Sequence, residues 1–356
     1  MLITTLSIHL MVLQGSRIMT KFELYKDNFQ DQSRVLIKND EFTVSSFKYS
    51  SGVEALKIQN SRGYLTFLPF EGLMIWEAVF DGFNLKMKNT FKQPYPGKQI
   101  TDSYGPFQFH SGLLASGNPG PKDNHYAHGE FPLTPMDSSF IEISENLVTV
   151  SSQVEYVKGF GDHYFANPSV TLKKGSALFD IRMFVKNLSK YQEMPLQYLT
   201  HINYKFVKGA IITQNIPESA FHLRKSIPKH IHPTEDWLNF TKQIYNSGRL
   251  INELDKTKHF DPEIVFFGDK LNQLVNKAVF RMKMDNKHTV QITFDTTQFP
   301  NVTRWLMYNP DLQVAAFALP ATSRTEGRAA AKEAGTLIML KPGESRHFKV
   351  TTGLED

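Results

Sequence analysis

Apolar residues recur at every second position along much of this chain, and that spacing restricts the fold more than any other feature. Val148, Val150, Val154 and Tyr156 share one parity, and Phe179, Ile181, Met183 and Val185 alternate with Asp180 and Arg182. Val290, Ile292 and Phe294 alternate with Gln291 and Thr293. A period of two buries one face of an extended strand. Turn signals separate the runs, among them Lys174-Gly175, Asp285-Asn286 and Pro342-Gly343. The 28 phenylalanines supply bulk that suits sheets. The expectation is an all-β fold, a large antiparallel β-sandwich with few short helices. One longer helix is predicted over Thr234 to Lys256, with Thr234 as N-cap and Trp237, Phe240 and Ile244 at helical spacing. Ala329 to Glu333 reads as a single turn.

No fixed-period repeat and no Gly/Ser- or Pro-rich linker divides the chain, so residues 21–356 read as a single domain. Residues 1–20 read as an extension, disordered or non-native. The first positive charge, Arg17, follows the apolar stretch instead of preceding it, and Met19 offers a second start. There is no cysteine, which excludes disulfides, thiol catalysis and cysteine-held metals. The missing cysteines and the poor signal sequence make cytoplasmic the expected location. The net charge of +5 is spread without a basic block, so nucleic acid is not an expected partner. No apolar run is long enough to span a membrane. Neither a G-x-G-x-x-G nor a P-loop pattern is present, so no nucleotide cradle is visible.

Candidate chemistry gathers in Phe107 to Pro135, a stretch rich in Gly and Pro that holds His110, His125, His128 and Glu130. It reads as a long loop that presents imidazoles and a carboxylate. The backbone freedom beside Gly129 lets His128 aim into a cleft, and its titration near neutrality suits proton donation or hydrogen bonding. In the run Tyr198 to Tyr204, strand parity puts His201, Asn203 and Lys205 on one face, a proton donor beside an amide. For each histidine the plain alternative is packing against a neighbouring aromatic. Asp162-His163 and His230-Ile231-His232 are lesser candidates, the second for a metal, as are His125, His128 and Glu130 together. Near the C-terminus, Arg324 and Arg328 are candidate grips for carboxylate or hydroxyl groups and Glu326 a candidate base, with an exposed charged turn as the alternative.

Taken in order, these pieces resemble the aldose 1-epimerase (galactose mutarotase) superfamily, in an uncharacterised bacterial branch. The resemblance is carried by Asn60 to Leu65, Leu68 to Trp76, His128-Gly129, His201-Ile202-Asn203-Tyr204, Trp305, Leu319-Pro320-Ala321-Thr322, Gly327-Arg328 and Leu340 to Glu344. It implies a β-supersandwich with a sugar site on its concave face. It also implies anomer exchange by acid–base ring opening, without metal or cofactor. His201 would be the acid, and His128 would bind the ring oxygen or a neighbouring hydroxyl. In that family the base is a glutamate at the position where this chain has Leu319. Glu326, seven residues on, is the favoured substitute, and Glu130 the other. His110, Glu130, Asn203 and Arg324 complete the expected substrate contacts, on a small-molecule carbohydrate partner. Arg324, Arg328 and Lys205 would suit an acidic or phosphorylated sugar. Two other readings stand beside the enzyme. One is a carbohydrate-binding protein that has lost catalysis, as the leucine suggests. The other is a metal-dependent isomerase or lyase built on His125, His128, Glu130 and His201.

Overall fold

The computed structural model describes residues 12–14, 17–227 and 231–355. Strands dominate, in two large sheets of 10 and 13 strands among the described residues, and every strand pairing is antiparallel. The alternation read from the sequence is the burial pattern observed. Val148, Val150 and Val154 are buried along Leu147–Val157, and Phe179, Ile181, Met183 and Val185 along Leu178–Asn187. Asp180 departs from the expected solvent face. It is buried, and it accepts hydrogen bonds from Thr351 and Arg182 and lies 3.1 Å from the Lys349 ammonium. The expected extension over residues 1–20 falls largely outside the described residues. Within it, Val12–Gln14 is a strand, and a second strand, Arg17–Leu24, pairs with Ser138–Ile143.

Five strands of the larger sheet carry the site, and we label them β1 (Gln108–Leu113), β2 (Met194–Ile202), β3 (Ile264–Gly268), β4 (Asn301–Tyr308) and β5 (Gln313–Ala321). Their order across the sheet is β3-β4-β5-β2-β1. One face of this sheet packs on the other sheet. Tyr198 lies 4.9 Å, ring to ring, from Phe348, and the Tyr204 hydroxyl is 2.7 Å from that of Thr352. The opposite face carries Phe109, His201, Thr303, Trp305 and Leu319. Between the Thr303–Leu319 and Trp305–Ala316 pairs, two residues of β5 stand against Arg304 alone, and this bulge on β5 makes the arrangement possible. Phe317 stays against Tyr204 in the core, 5.3 Å away, while Leu319 turns outward.

Arg304 locks β4 from the core side. It is fully buried and donates to the carbonyls of Phe317 and Ile251 and to the side chains of Asn252 and Gln214. Burial pulls its pKa down to about 9.

Two α-helices lie among the described residues, both in the expected places, and the first is shorter than expected. The first, α1 (Glu235–Ser247), is capped by Thr234, whose side chain accepts from the Trp237 amide. It stops nine residues before Lys256, because Gly248 adopts a left-handed conformation (φ 64°) that ends the ladder. The second, α2 (Arg328–Glu333), is little more than one turn.

The Phe107–Pro135 stretch is only partly a loop. Gln108–Leu113 is a fully buried strand, β1, flanked by β2 and by Met74–Phe80. Small Ser111 and Gly112 leave it no amphipathic pattern to betray it.

Candidate functional site

The His128 backbone is left-handed (φ 62°) and Gly129 follows at φ 80°. These two residues fold the loop back on β1, with the His128 carbonyl accepting from the Gly112 amide at 2.9 Å. A Cβ on Gly129 would stand 2.1 Å from the Ala115 carbonyl oxygen and 2.5 Å from that of Gly112. Only glycine fits there. Gly129→Ala is therefore expected to lower the melting temperature by several degrees and to displace His128. Differential scanning calorimetry checks the first, and the histidine ring resonances check the second. An unchanged melting temperature would contradict this close approach.

The His128 ring is held by Ser111, whose Oγ is 2.9 Å from Nδ1 and 2.7 Å from Ser116 Oγ. The His201 ring lies 4.8 Å from the His128 ring and nearly perpendicular to it, stacked on Phe109 at 4.4 Å. Tyr104 closes the box, its hydroxyl 3.4 Å from His201 Nε2 and its ring 6.1 Å from that of Trp305. Trp305 lies 5.6 Å from His201. Both histidines are held in the neutral form. Burial, with a smaller push from His125, brings His128 down to about 4. Burial and the adjacent His128 bring His201 well below its usual value, while the Asn203 side chain acts in the other direction. Burial, with the nearby charge of Glu263, raises the Tyr104 phenol, which stays protonated.

These rings border a cavity of ≈ 610 Å³ whose far wall holds a carboxylate that the sequence reading missed, Glu263. Glu263 lies just before β3 and is almost fully buried. One oxygen accepts from Arg224 at 2.7 Å and the other from the Trp305 indole at 2.6 Å. Its backbone carbonyl accepts from the Trp237 indole at 2.8 Å, so α1 braces the same point. Leu319 lines the floor, directly across the ladder from Thr303, whose buried hydroxyl has no partner. His201 Nδ1 is likewise without a partner in hydrogen-bond geometry. Orphan polar atoms in a cavity wall fit a ligand that brings hydroxyl groups.

Of the residues expected from sequence, the structure brings His128 and His201 together, with Asn203 behind His201. Asn203 donates to the Pro106 carbonyl at 3.0 Å and does not line the cavity. The others are placed elsewhere. His110 alternates onto the core face of β1, its Nδ1 2.7 Å from the Tyr198 hydroxyl, and burial lowers its pKa to about 3. Glu130 pins the loop from beneath, accepting from the amides of Leu113 and Leu114 and the Tyr164 hydroxyl, and burial raises its pKa. Arg324 forks onto Asp269. Glu326 turns away from the histidines toward Ser226, which donates to it at 3.1 Å, and lines an adjoining cavity. Lys205 reaches over the Phe83 ring instead. His163 pairs with Glu155 at the surface. His232 lines the main cavity, while His230 lies outside the described residues. Among the described residues no group of three or more His, Asp or Glu is arranged to hold a metal.

The paired antiparallel sheets with this cavity on the outer face define a galactose mutarotase-like β-sandwich. Solved structures share that fold across nearly the whole chain. The "putative aldose 1-epimerase" of Klebsiella pneumoniae superposes with a TM-score of 0.77, covering 94% of this chain and 91% of that one at 15% identity. A galactose mutarotase-like protein from Clostridium acetobutylicum gives 0.60, with 89% and 100% covered at 14% identity. Another from Lactobacillus casei gives 0.55, with 85% and 100% covered at 15% identity. By sequence, the chain belongs to the family described as Domain of unknown function (DUF4432), which matches residues 50–354. No curated protein matches it.

Proposed function

We propose that the cavity binds a free sugar or sugar acid and interconverts its anomers by acid–base ring opening. The observation that carries this reading is the presence of two imidazoles and a fixed carboxylate, His128, His201 and Glu263, around one cavity. Glu263 takes the proton from the anomeric hydroxyl as the carbonyl forms. The bond from C1 to the ring oxygen breaks, and His201 delivers a proton to that oxygen. Rotation about C1–C2 and reversal of both transfers give the other anomer. The protons taken and returned balance, and the chemistry draws on no redox partner. His128 holds a sugar oxygen through the ring nitrogen that Ser111 leaves free, and Trp305 offers an apolar face to the sugar ring. Glu263 thus stands in for the glutamate that Leu319 replaces, from two strands away. Like the enzyme reading, placement of residues 21–356 in one domain is our proposal.

The direction of the His201 shift sets the pH dependence. Its folded pKa lies well below 6.5, so the imidazolium fraction falls about tenfold for each unit of pH through neutrality. The expected result is a rate that rises as pH falls from about 8 toward 6. A flat profile in polarimetry of freshly dissolved anomers would remove proton donation by His201. Acceleration over buffer for no sugar at all would leave the second reading, a binding protein, which Leu319 at the base position favours.

A further inference from the structure

A second cavity, of ≈ 640 Å³, adjoins the first, and Arg224 lines both. It is walled by the strand end around Arg224, by the end of α1, by β3 and by the Arg324–Glu326 turn. Its charged lining is four cations, Arg224, Lys225, Arg249 and Arg324, against one carboxylate, Glu326. Two of the cations are already paired, Arg224 with Glu263 and Arg324 with Asp269. Lys225 and Arg249 are exposed and have no ion pair among the described residues. Lys225 extends along the Tyr245 ring, its ammonium 5.0 Å from the centroid. The carbonyl end of α1 faces this side and offsets only part of the positive charge.

We propose that this second cavity takes the anionic group, carboxylate or phosphate, of a sugar whose ring occupies the first cavity. The proposal rests on the sugar reading of that first cavity and names its substrate class. Either cavity alone exceeds what one pyranose ring fills, and Arg224 is the shared wall across which a charged substituent would extend. Guanidinium and ammonium groups that converge on open space recognise carboxylate and phosphate oxygens by charge-assisted hydrogen bonds. Neutral sugars leave Lys225 and Arg249 without an anionic partner. An anion that draws on Arg224 competes with Glu263 for the same guanidinium, so the two cavities share one side chain.

The test measures dissociation constants by calorimetry for glucose, glucuronate and glucose 6-phosphate, on wild type and on the Lys225→Ala/Arg249→Ala double variant. Both positions are exposed, so the fold is expected to survive, and circular dichroism verifies it. Wild type is expected to prefer at least one charged sugar over glucose by about tenfold. That preference is lost in the double variant, and in wild type it falls when salt rises from about 20 to about 200 mM. The two charged sugars tell a carboxylate site from a phosphate site. Equal affinity for all three sugars, or a preference that survives the double variant, overturns the second site. Because binding is measured without turnover, the two readings fail separately. Charged-sugar preference without anomer exchange removes the catalysis and keeps the second site. Exchange of neutral and charged sugars alike, with no preference in binding, does the reverse.

Discussion

Replacing Glu263 with glutamine is expected to lower anomer exchange by about 10²–10⁴-fold, the range a positioned acid–base group contributes. Glu326→Gln is expected to leave exchange of a neutral sugar within about twofold of wild type, because the Glu326 carboxylate faces Ser226 in the adjoining cavity. The pair of variants decides between the base that chain order suggests and the base that the strands assemble. Glu263→Gln has a second effect that must be kept apart from the first. The Arg224–Glu263 pair is buried, and removing one partner of such a pair costs about 3–5 kcal/mol. Glu263→Asp keeps the charge and withdraws the carboxylate by one methylene. A folded Glu263→Asp protein with exchange reduced at least tenfold assigns the loss to proton transfer, since position alone has changed. Full activity in both Glu263 variants, with loss in Glu326→Gln, would return the base to the C-terminal turn.

Acid is expected to unfold this protein early, with a midpoint between about pH 4 and 5. Three histidines are buried neutral, His110 at about 3, His128 at about 4, and His201 well below its usual value. Each folded pKa is depressed below the unfolded value of about 6.5. Their contribution is therefore complete above that pH and is lost as pH falls toward the folded values. By pH 4 the unfolded chain gains about 3 kcal/mol from each of His110 and His128, and His201 adds in the same direction, against the ~5–15 kcal/mol that holds a typical domain. Glu71, raised to about 7 by burial and by Glu54, works the other way. It destabilises the fold as pH rises from its unfolded value through 7, so acidification toward about 4.5 relieves it and delays the loss. The measurement is the urea midpoint by circular dichroism at a series of pH values, with His110→Gln beside wild type. That variant removes one titrating ring and keeps a partner for Tyr198, so its acid midpoint moves lower. A midpoint in urea that stays constant from pH 7 to 4.5 would contradict the burial of all three rings.

The sheets were legible because each strand buries one face, and a period of two survives in the residues themselves. Helix α1 was legible at its start, where the Thr234 side chain caps Trp237, and was overrun at its end, where Gly248 already marked the stop. The strand β1 was not legible. Both of its faces are buried, so His110 and His128 looked like one local cluster although alternation puts His110 between the sheets. His128 and His201 were found through local chemistry, a histidine beside glycine and a histidine beside asparagine. Glu263 escaped because what defines it is remote in sequence: Arg224 is 39 residues away and Trp305 is 42. The one local sign was a carboxylate at the mouth of the apolar run Ile264-Val265-Phe266-Phe267. Arg324 and Glu326 misled for the same reason in reverse. Their partners Asp269 and Ser226 come from distant strands and loops, and they turn both side chains out of the cavity.

The most direct measurement is saturation transfer between α and β anomers at equilibrium, in one NMR sample with a panel of neutral and acidic aldoses. Irradiating one anomeric proton reports exchange at the other, and broadening of either signal reports binding at the same time. The expected result is exchange well above the spontaneous rate for at least one sugar, lost in His201→Ala while the variant remains folded. Broadening without exchange in wild type, or exchange that persists undiminished in His201→Ala, would contradict it.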